Sequence, residues 1–150
     1  MPHTFASIRV HIIFSTKERE RLIKPQFQRR LWGYMGHVAR NLEIPVLAIG
    51  GAEEHAHLGL AIPPHMRVSE AVQKLKANSS RWMSDEHVNG FEWQQGYAAF
   101  SVSISHTAAL VKYINDQQAH HKRVSFEEEF ERILKKHGLS LSDLPGRQVH

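Results

Sequence analysis

Two histidines one residue apart, His55 and His57, and a tyrosine four residues before a glutamine, Tyr113 and Gln117, are the side chains whose spacing points to chemistry. From His55 onward the chain alternates like a strand, with His57, Gly59 and Ala61 against Leu58, Leu60 and Ile62. Residues i and i+2 of a strand share a face, so two imidazoles emerge side by side from a stiff backbone and can grip one metal ion. Taken alone, the pair reads more plainly as two surface histidines on a half-exposed strand. Tyr113 and Gln117 fall on a helix expected from near Ser105 to about His121, where a spacing of four puts them on one face. Tyr34 lies on the apolar stripe of an earlier helix and Tyr97 opens a strand, which leaves Tyr113 as the tyrosine with a potential ligand at i+4. A phenol of ordinary pKa, about 10, is a poor nucleophile unless it is positioned and activated. A divalent metal held by two imidazoles and an amide oxygen keeps positions open for phosphate oxygens and stabilises charge during displacement. Attack by a tyrosinate would then give a phosphotyrosine link that conserves bond energy for rejoining. His120 and His121, further along the same helix, are candidate accessory groups.

The elements that must position these residues follow from periodicity. Ala6 to Phe14 alternates Ile8, Val10, Ile12 and Phe14 with Arg9, His11 and Ile13, a strand with one buried face. Pro25 suits the first turn of a helix whose stripe is Phe27, Leu31, Tyr34, Met35, Val38 and Leu42, with Gly33 and Gly36 serving close packing on the sheet. Ile44 to Ile49 and the His55 segment make a hairpin turned at Gly50-Gly51-Ala52-Glu53, and Pro63-Pro64 ends it. Ser69 caps a helix carrying Val72, Leu75 and Trp82. Phe91 to Gln94 and Tyr97 to Ser103 read as two short strands, followed by the Tyr113 helix. Ser125 and Glu128 form a capping box for the last helix, with Phe126, Phe130, Ile133 and Leu134 as its stripe and Gly138 as its stop. The order β-α-β-β-α-β-β-α-α predicts an α+β fold, a mainly antiparallel sheet with helices packed on it, close to a ferredoxin-like arrangement. One domain over residues 1–150 is expected, its core at about 5–138 and a loosely held tail at 139–150.

The chain has 41% hydrophobic and 23% charged residues, ordinary for a globular protein, and no cysteine, which excludes disulfides and thiolate metal sites. No signal peptide is read at its start, and no run approaches the roughly 18 apolar residues of a membrane span. A cytoplasmic location is the natural expectation. The formal charge is +4, a modest basic excess that suits nucleic acid without requiring it. Lys17, Arg19 and Arg21 in the loop after the first strand, and Lys74, Lys76 and Arg81 on the second helix, are the candidate phosphate contacts. The same residues also read as an ordinary solvated loop and helix face.

His55-Ala56-His57 followed by Ala-Ile-Pro-Pro, then Val-Gln-Lys-Leu-Lys-Ala-Asn-Ser-Ser-Arg-Trp at 72–82, Gly-Tyr-Ala-Ala-Phe-Ser-Val-Ser at 96–103, Tyr-Ile-Asn-Asp-Gln at 113–117 and His-His-Lys at 120–122 resembles the HUH-type single-tyrosine transposases. That group includes the insertion-sequence transposases and the REP-associated tyrosine transposases, and the likeness runs from about Phe5 to Gly138. The resemblance implies an RRM-like HUH endonuclease core. It implies that His55, His57 and Gln117 ligate Mg2+ or Mn2+, and that Tyr113 is the nucleophile. It further implies hairpin-forming single-stranded DNA as substrate, a 5′-phosphotyrosine intermediate and a free 3′-OH. Homodimers are implied too, in which the tyrosine helix of one subunit can complete the histidine site of the other; Ser103-Ile104-Ser105, read as a flexible joint, would let that helix reach a neighbour. The chain departs from the family pattern at Ala56, usually bulkier, at Glu53-Glu54 before it, and at Ala98, where glycine is common. Two other readings stand beside this one: a domesticated, non-catalytic binder of DNA hairpins, and a hydrolytic metalloenzyme, for which no His-Glu-x-x-His motif is present.

Overall fold

The computed structural model describes residues 3–121 and 123–143. Two compact units are present, Met1–Gln117 and Gln118–His150. The first carries strand β1 (Arg9–Ser15), helix α1 (Pro25–Asn41), strands β2 (Val46–Gly51) and β3 (His55–Ala61), helix α2 (Val68–Glu86), strand β4 (Ala98–Ser101) and helix α3 (Thr107–Asn115). A short helix α4 (Gln117–His120) leads out of it, and helix α5 (Phe126–Lys136) belongs to the second unit.

The sheet has the order β2-β3-β1-β4, with each neighbouring pair antiparallel. With the helix order β1-α1-β2-β3-α2-β4, this is the ferredoxin-like arrangement expected. One face of the sheet is aliphatic. Val10, Ile12 and Phe14 of β1 and Ala56, Leu58 and Leu60 of β3 join Leu31, Met35 and Ala39 of α1 and Ala71, Val72, Leu75 and Met83 of α2 in one buried core. β1 is not the one-sided strand its pattern suggests, because His11 and Ile13 on its other face are buried as well. The second face is covered by α3. The contrast in composition between the two faces of β1 and β3 is what separates packing from chemistry in this chain.

Several expectations shift. Phe91 to Gln94 is a loop whose backbone pairs only through an isolated bridge, Thr16↔Trp93, just past the end of β1. Its alternation is real, since Phe91 and Trp93 are both buried, but they are anchored by ring packing and by Trp93 Nε1 donating to Ser79 Oγ at 2.9 Å. β4 is correspondingly the only strand between α2 and α3 among the described residues. Ser69 lies inside α2, whose N-cap is Arg67, and makes no cap. The helix read from Ser105 to His121 breaks at Asp116, which ends α3 before Gln117 starts α4. Ser125 does cap α5, accepting from the Glu128 amide at 3.2 Å, and Gly138 ends it with φ +73°. Residues 139–143 carry a 3-10 turn at Leu141–Asp143, and the rest of the expected tail lies outside the described residues. No described helix is long and apolar enough to cross a membrane.

Gly33 and Gly36 do not serve close packing on the sheet: a Cβ at either would meet nothing within 4 Å. They cost helix stability without a packing return. Gly33→Ala is therefore expected to stabilise the protein by about 0.5–1 kcal/mol. Urea unfolding checks this, and an unchanged or lowered midpoint would contradict it.

Candidate metal and nucleophile site

The alternation of β3 sends Ala56 and Leu58 into the aliphatic core and turns His55, His57 and Gly59 toward α3. The two histidines are not surface groups, because both are fully buried. Their rings meet edge-on with centroids 4.9 Å apart. Ala56 points away from them, so its small size bears on core packing and leaves both imidazoles in place.

Two glycines let α3 lie against this face. At Gly50 a Cβ would fall 2.6 Å from the Ile114 carbonyl oxygen, inside any tolerable contact. At Gly59 it would meet Leu110, Ile114 and Leu47 at 3.3–3.4 Å. The helix backbone thus rests almost directly on the β2-β3 hairpin. The Tyr113 ring reaches 5.6 Å from that of His57, edge to face, and 6.3 Å from that of His11. The helix break at Asp116 does not undo the i, i+4 relation: Gln117 is buried, and its amide lies 3.5 Å from the Tyr113 carbonyl.

Hydrogen bonds decide which nitrogens face the centre. The Glu54 carboxylate lies 2.7 Å from His55 Nδ1. A carboxylate only accepts, so Nδ1 carries the proton and a neutral His55 keeps its lone pair on Nε2. That nitrogen faces Gln117 Oε1 at 3.1 Å. Two lone pairs directed at one point suit a cation between them; otherwise the amide must turn over to donate. His57 Nδ1 is engaged by His11 Nε2 at 2.8 Å, the two rings stacked with centroids 5.0 Å apart. Two imidazole nitrogens and one amide oxygen, each ring oriented from behind, are a donor set that fits a divalent metal.

The six basic residues fare differently. Lys17 is exposed but sits 3.0 Å from Glu92, whose carboxylate raises the ammonium pKa through a hydrogen bond and its charge. Lys74 pairs with Glu70 at 3.4 Å. Lys76 is half-buried over the Phe14 ring, donates to the Gln94 and Gly96 carbonyls at 2.6 and 3.0 Å, and has its pKa lowered by burial. It anchors the loop after α2 and is not a free phosphate contact. Arg19, Arg21 and Arg81 are exposed. In the second unit, His120 and His121 each place Nε2 on the carboxylate of Glu129, at 3.3 and 3.1 Å. Glu129 is only 2% exposed, a buried acid that the apolar stripe of α5 did not announce.

The reading from sequence also missed Glu54, His11 and Gly50. Glu54 was visible as the residue before His55 at the hairpin turn. His11 was visible as the polar position alternating with Ile13. The segment Ser103-Ile104-Ser105, expected to be flexible, is tied down: Ser103 Oγ lies 2.7 Å from His106 Nδ1, and Thr107 Oγ1 donates to the Ser103 carbonyl at 3.1 Å. Arg9 in turn donates to Thr107 Oγ1 at 2.9 Å, fixing the start of α3 to its own sheet.

Residues 4–117 match the family described as Transposase IS200 like. The transposases for insertion sequence element IS200 of Salmonella typhimurium and of Salmonella typhi are each 26% identical to this chain over 124 residues, covering 78% of it and 81% of their own length. A crystal structure of a candidate transposase from Deinococcus radiodurans R1 superposes with a TM-score of 0.62 at 22% identity, over 78% of this chain and 95% of that one. The structure of the REP-associated tyrosine transposase bound to a REP hairpin superposes with a TM-score of 0.60 at 16% identity, over 100% of this chain and 93% of that one. These two structural likenesses establish the fold.

The approach of α3 to the hairpin generates a direct test. Gly50→Ala must push the Ile114 backbone away, at a cost of about 1–3 kcal/mol, and widen the His57–Tyr113 spacing. Urea unfolding and the nuclear Overhauser contact between the two rings read the effect. Wild-type stability with the contact retained would show that the glycine is not needed.

Proposed function

This chain belongs to the IS200-like family of HUH-type single-tyrosine transposases, and we propose that it cuts and rejoins single-stranded, hairpin-forming DNA with Tyr113 as nucleophile. The observation that carries the proposal is the meeting, within one chain, of the Tyr113 ring with His57 at 5.6 Å and of His55 Nε2 with Gln117 Oε1 at 3.1 Å. His55, His57 and Gln117 would hold a Mg2+ or Mn2+ ion, imidazole ligands favouring manganese on ligand chemistry. When bound, that ion supplies charge stabilisation to the scissile phosphate.

The chain's own residues do the rest. Glu54 and His11 orient the two imidazoles, and α3 brings the phenol to the same face. The Tyr113 oxygen bonds to phosphorus as the P–O3′ bond breaks. The phenolic proton ends on the departing 3′ oxygen, leaving a 5′-phosphotyrosine and a free 3′-OH, and the reverse step rejoins the strand. The REP hairpin bound by the REP-associated relative supports a hairpin substrate here. Arg19, Arg21 and Arg81, with Lys17 and Lys74 released from weak, solvent-screened surface pairs, would contact phosphates.

Incubation with single-stranded hairpins and Mn2+ is expected to give a covalent protein–DNA adduct, absent in Tyr113→Phe and in excess chelator. A normal adduct yield from Tyr113→Phe would reject the assignment. With about five phosphates neutralised on a single strand, the slope of log K against log salt is expected near about −3.5. A flat dependence would point to another partner.

The tethering of α3 to its own sheet also bears on assembly. Homodimers are part of the proposal, but each subunit completes its own site. Mixed dimers of His57→Ala and Tyr113→Phe chains are expected to stay inactive, since every site keeps one defect. Recovery of about half the activity of a wild-type dimer would instead place the tyrosine in the partner's site.

A further inference from the structure

His57 is a candidate ligand whose orientation depends on another histidine. His11 comes from the middle of β1 and is only 6% exposed. In the register of the sheet it stands opposite Gly59, diagonal to His57, a distance that aromatic side chains can span. Its Nε2 lies 2.8 Å from His57 Nδ1, and the rings stack at 25°. On its other flank it is held by Phe100, with centroids 6.3 Å apart.

A hydrogen bond between two imidazole nitrogens holds one proton, and its side of the bond decides what His57 can do. If His11 donates, a neutral His57 carries its own proton on Nε2 and has no lone pair for a metal. If His57 donates from Nδ1, its Nε2 lone pair is available. We propose that His11 is a positioning residue that accepts the His57 Nδ1 proton, fixing His57 as the Nδ1–H tautomer with Nε2 as its metal-binding nitrogen. The inference rests on the proposed metal site.

The two candidate ligands are thus oriented by different chemistry. Glu54 can only accept, so it fixes His55 outright. His11 can accept or donate, so it permits a metal-competent and a metal-blocked arrangement of the same ring pair. The first is the arrangement of the metal-free protein. His11 itself touches neither metal nor DNA in this role; it acts through His57.

Two measurements on the full chain decide the matter. Long-range 1H–15N spectra of the metal-free wild-type protein at pH about 8, where ordinary imidazoles are neutral, report tautomers directly. His57 is expected as the Nδ1–H form, and His57 found as the Nε2–H form would overturn the proposal whether or not any metal binds. Mn2+ titration without DNA then compares wild type with His11→Leu, which removes the acceptor, and His11→Gln, whose amide oxygen restores one. The Leu variant is expected to bind Mn2+ about 10–100-fold more weakly, and the Gln variant within about 3-fold of wild type. Equal binding by all three, or equal losses in Leu and Gln variants that both remain folded, would also overturn it. Absence of Mn2+ binding by the wild type would instead reject the metal site itself, leaving the tautomer of His57 to be read from the spectra.

Discussion

The first unit is built around a helix backbone lying on glycine. The Ile114 carbonyl occupies the space where a side chain at position 50 would be, and Leu110 and Ile114 fill the space above Gly59. This seating brings the ring of Tyr113 to that of His57, while the hydrogen bond from Arg9 to Thr107 holds the start of the same helix. The hairpin register makes the arrangement possible, because Gly50 stands opposite His57 on the neighbouring strand. A glycine across from the histidine keeps its flank open to the helix. Register, glycine and helix approach are therefore one constraint, and a slip of one residue in β3 would turn both imidazoles into the aliphatic core.

That constraint would be idle without control over the ring nitrogens. Burying two imidazoles away from water is costly unless their polar atoms are satisfied. Here the satisfaction is directional. Glu54 and His11 take the Nδ1 positions, so the proposed ligating edges turn inward toward Gln117 and Tyr113. The same bonds that make burial tolerable fix the orientation that a metal would need. Stability and chemistry use the same hydrogen bonds, which is why no purely apolar replacement of either partner would be neutral.

Much of this was legible in the sequence, and the limits of legibility are physical. Period-two alternation found β1, the hairpin and the face shared by His55 and His57, since alternation is a local property of the chain. The pairing of Tyr113 with Gln117 was also local. The break at Asp116 was not, because four residues span one turn whether or not the helix continues. Phe91 and Trp93 alternated like a strand and are buried like one, yet a strand needs a run of paired backbone groups, and the chain at the end of β1 gives that loop one bridge, Thr16↔Trp93, through the Ser15 carbonyl and the Lys17 amide. His11 read as a polar position on a half-exposed strand because sequence does not reveal that α3 covers the second face.

Gly50 illustrates the point most sharply. Gly50-Gly51 reads as turn chemistry, and a turn does follow, but both residues lie within β2. Their requirement is for close approach of backbone, not for a positive φ. Gly33, Gly36 and Gly50 look alike in the sequence, yet only the last has a neighbour where its Cβ would be. A glycine's purpose is set by what packs over it, and that is decided by the tertiary path of α3. The approach that α3 makes to Gly50 also explains why the tether from Arg9 to Thr107 matters: a helix seated on bare backbone has little side-chain interdigitation there to resist sliding. The hydrogen bond at its first residue supplies a fixed point, and the packing of Ile114 on the hairpin supplies a second. Tyr113 lies next to that second point, so the contact that seats Ile114 also sets the position of its ring.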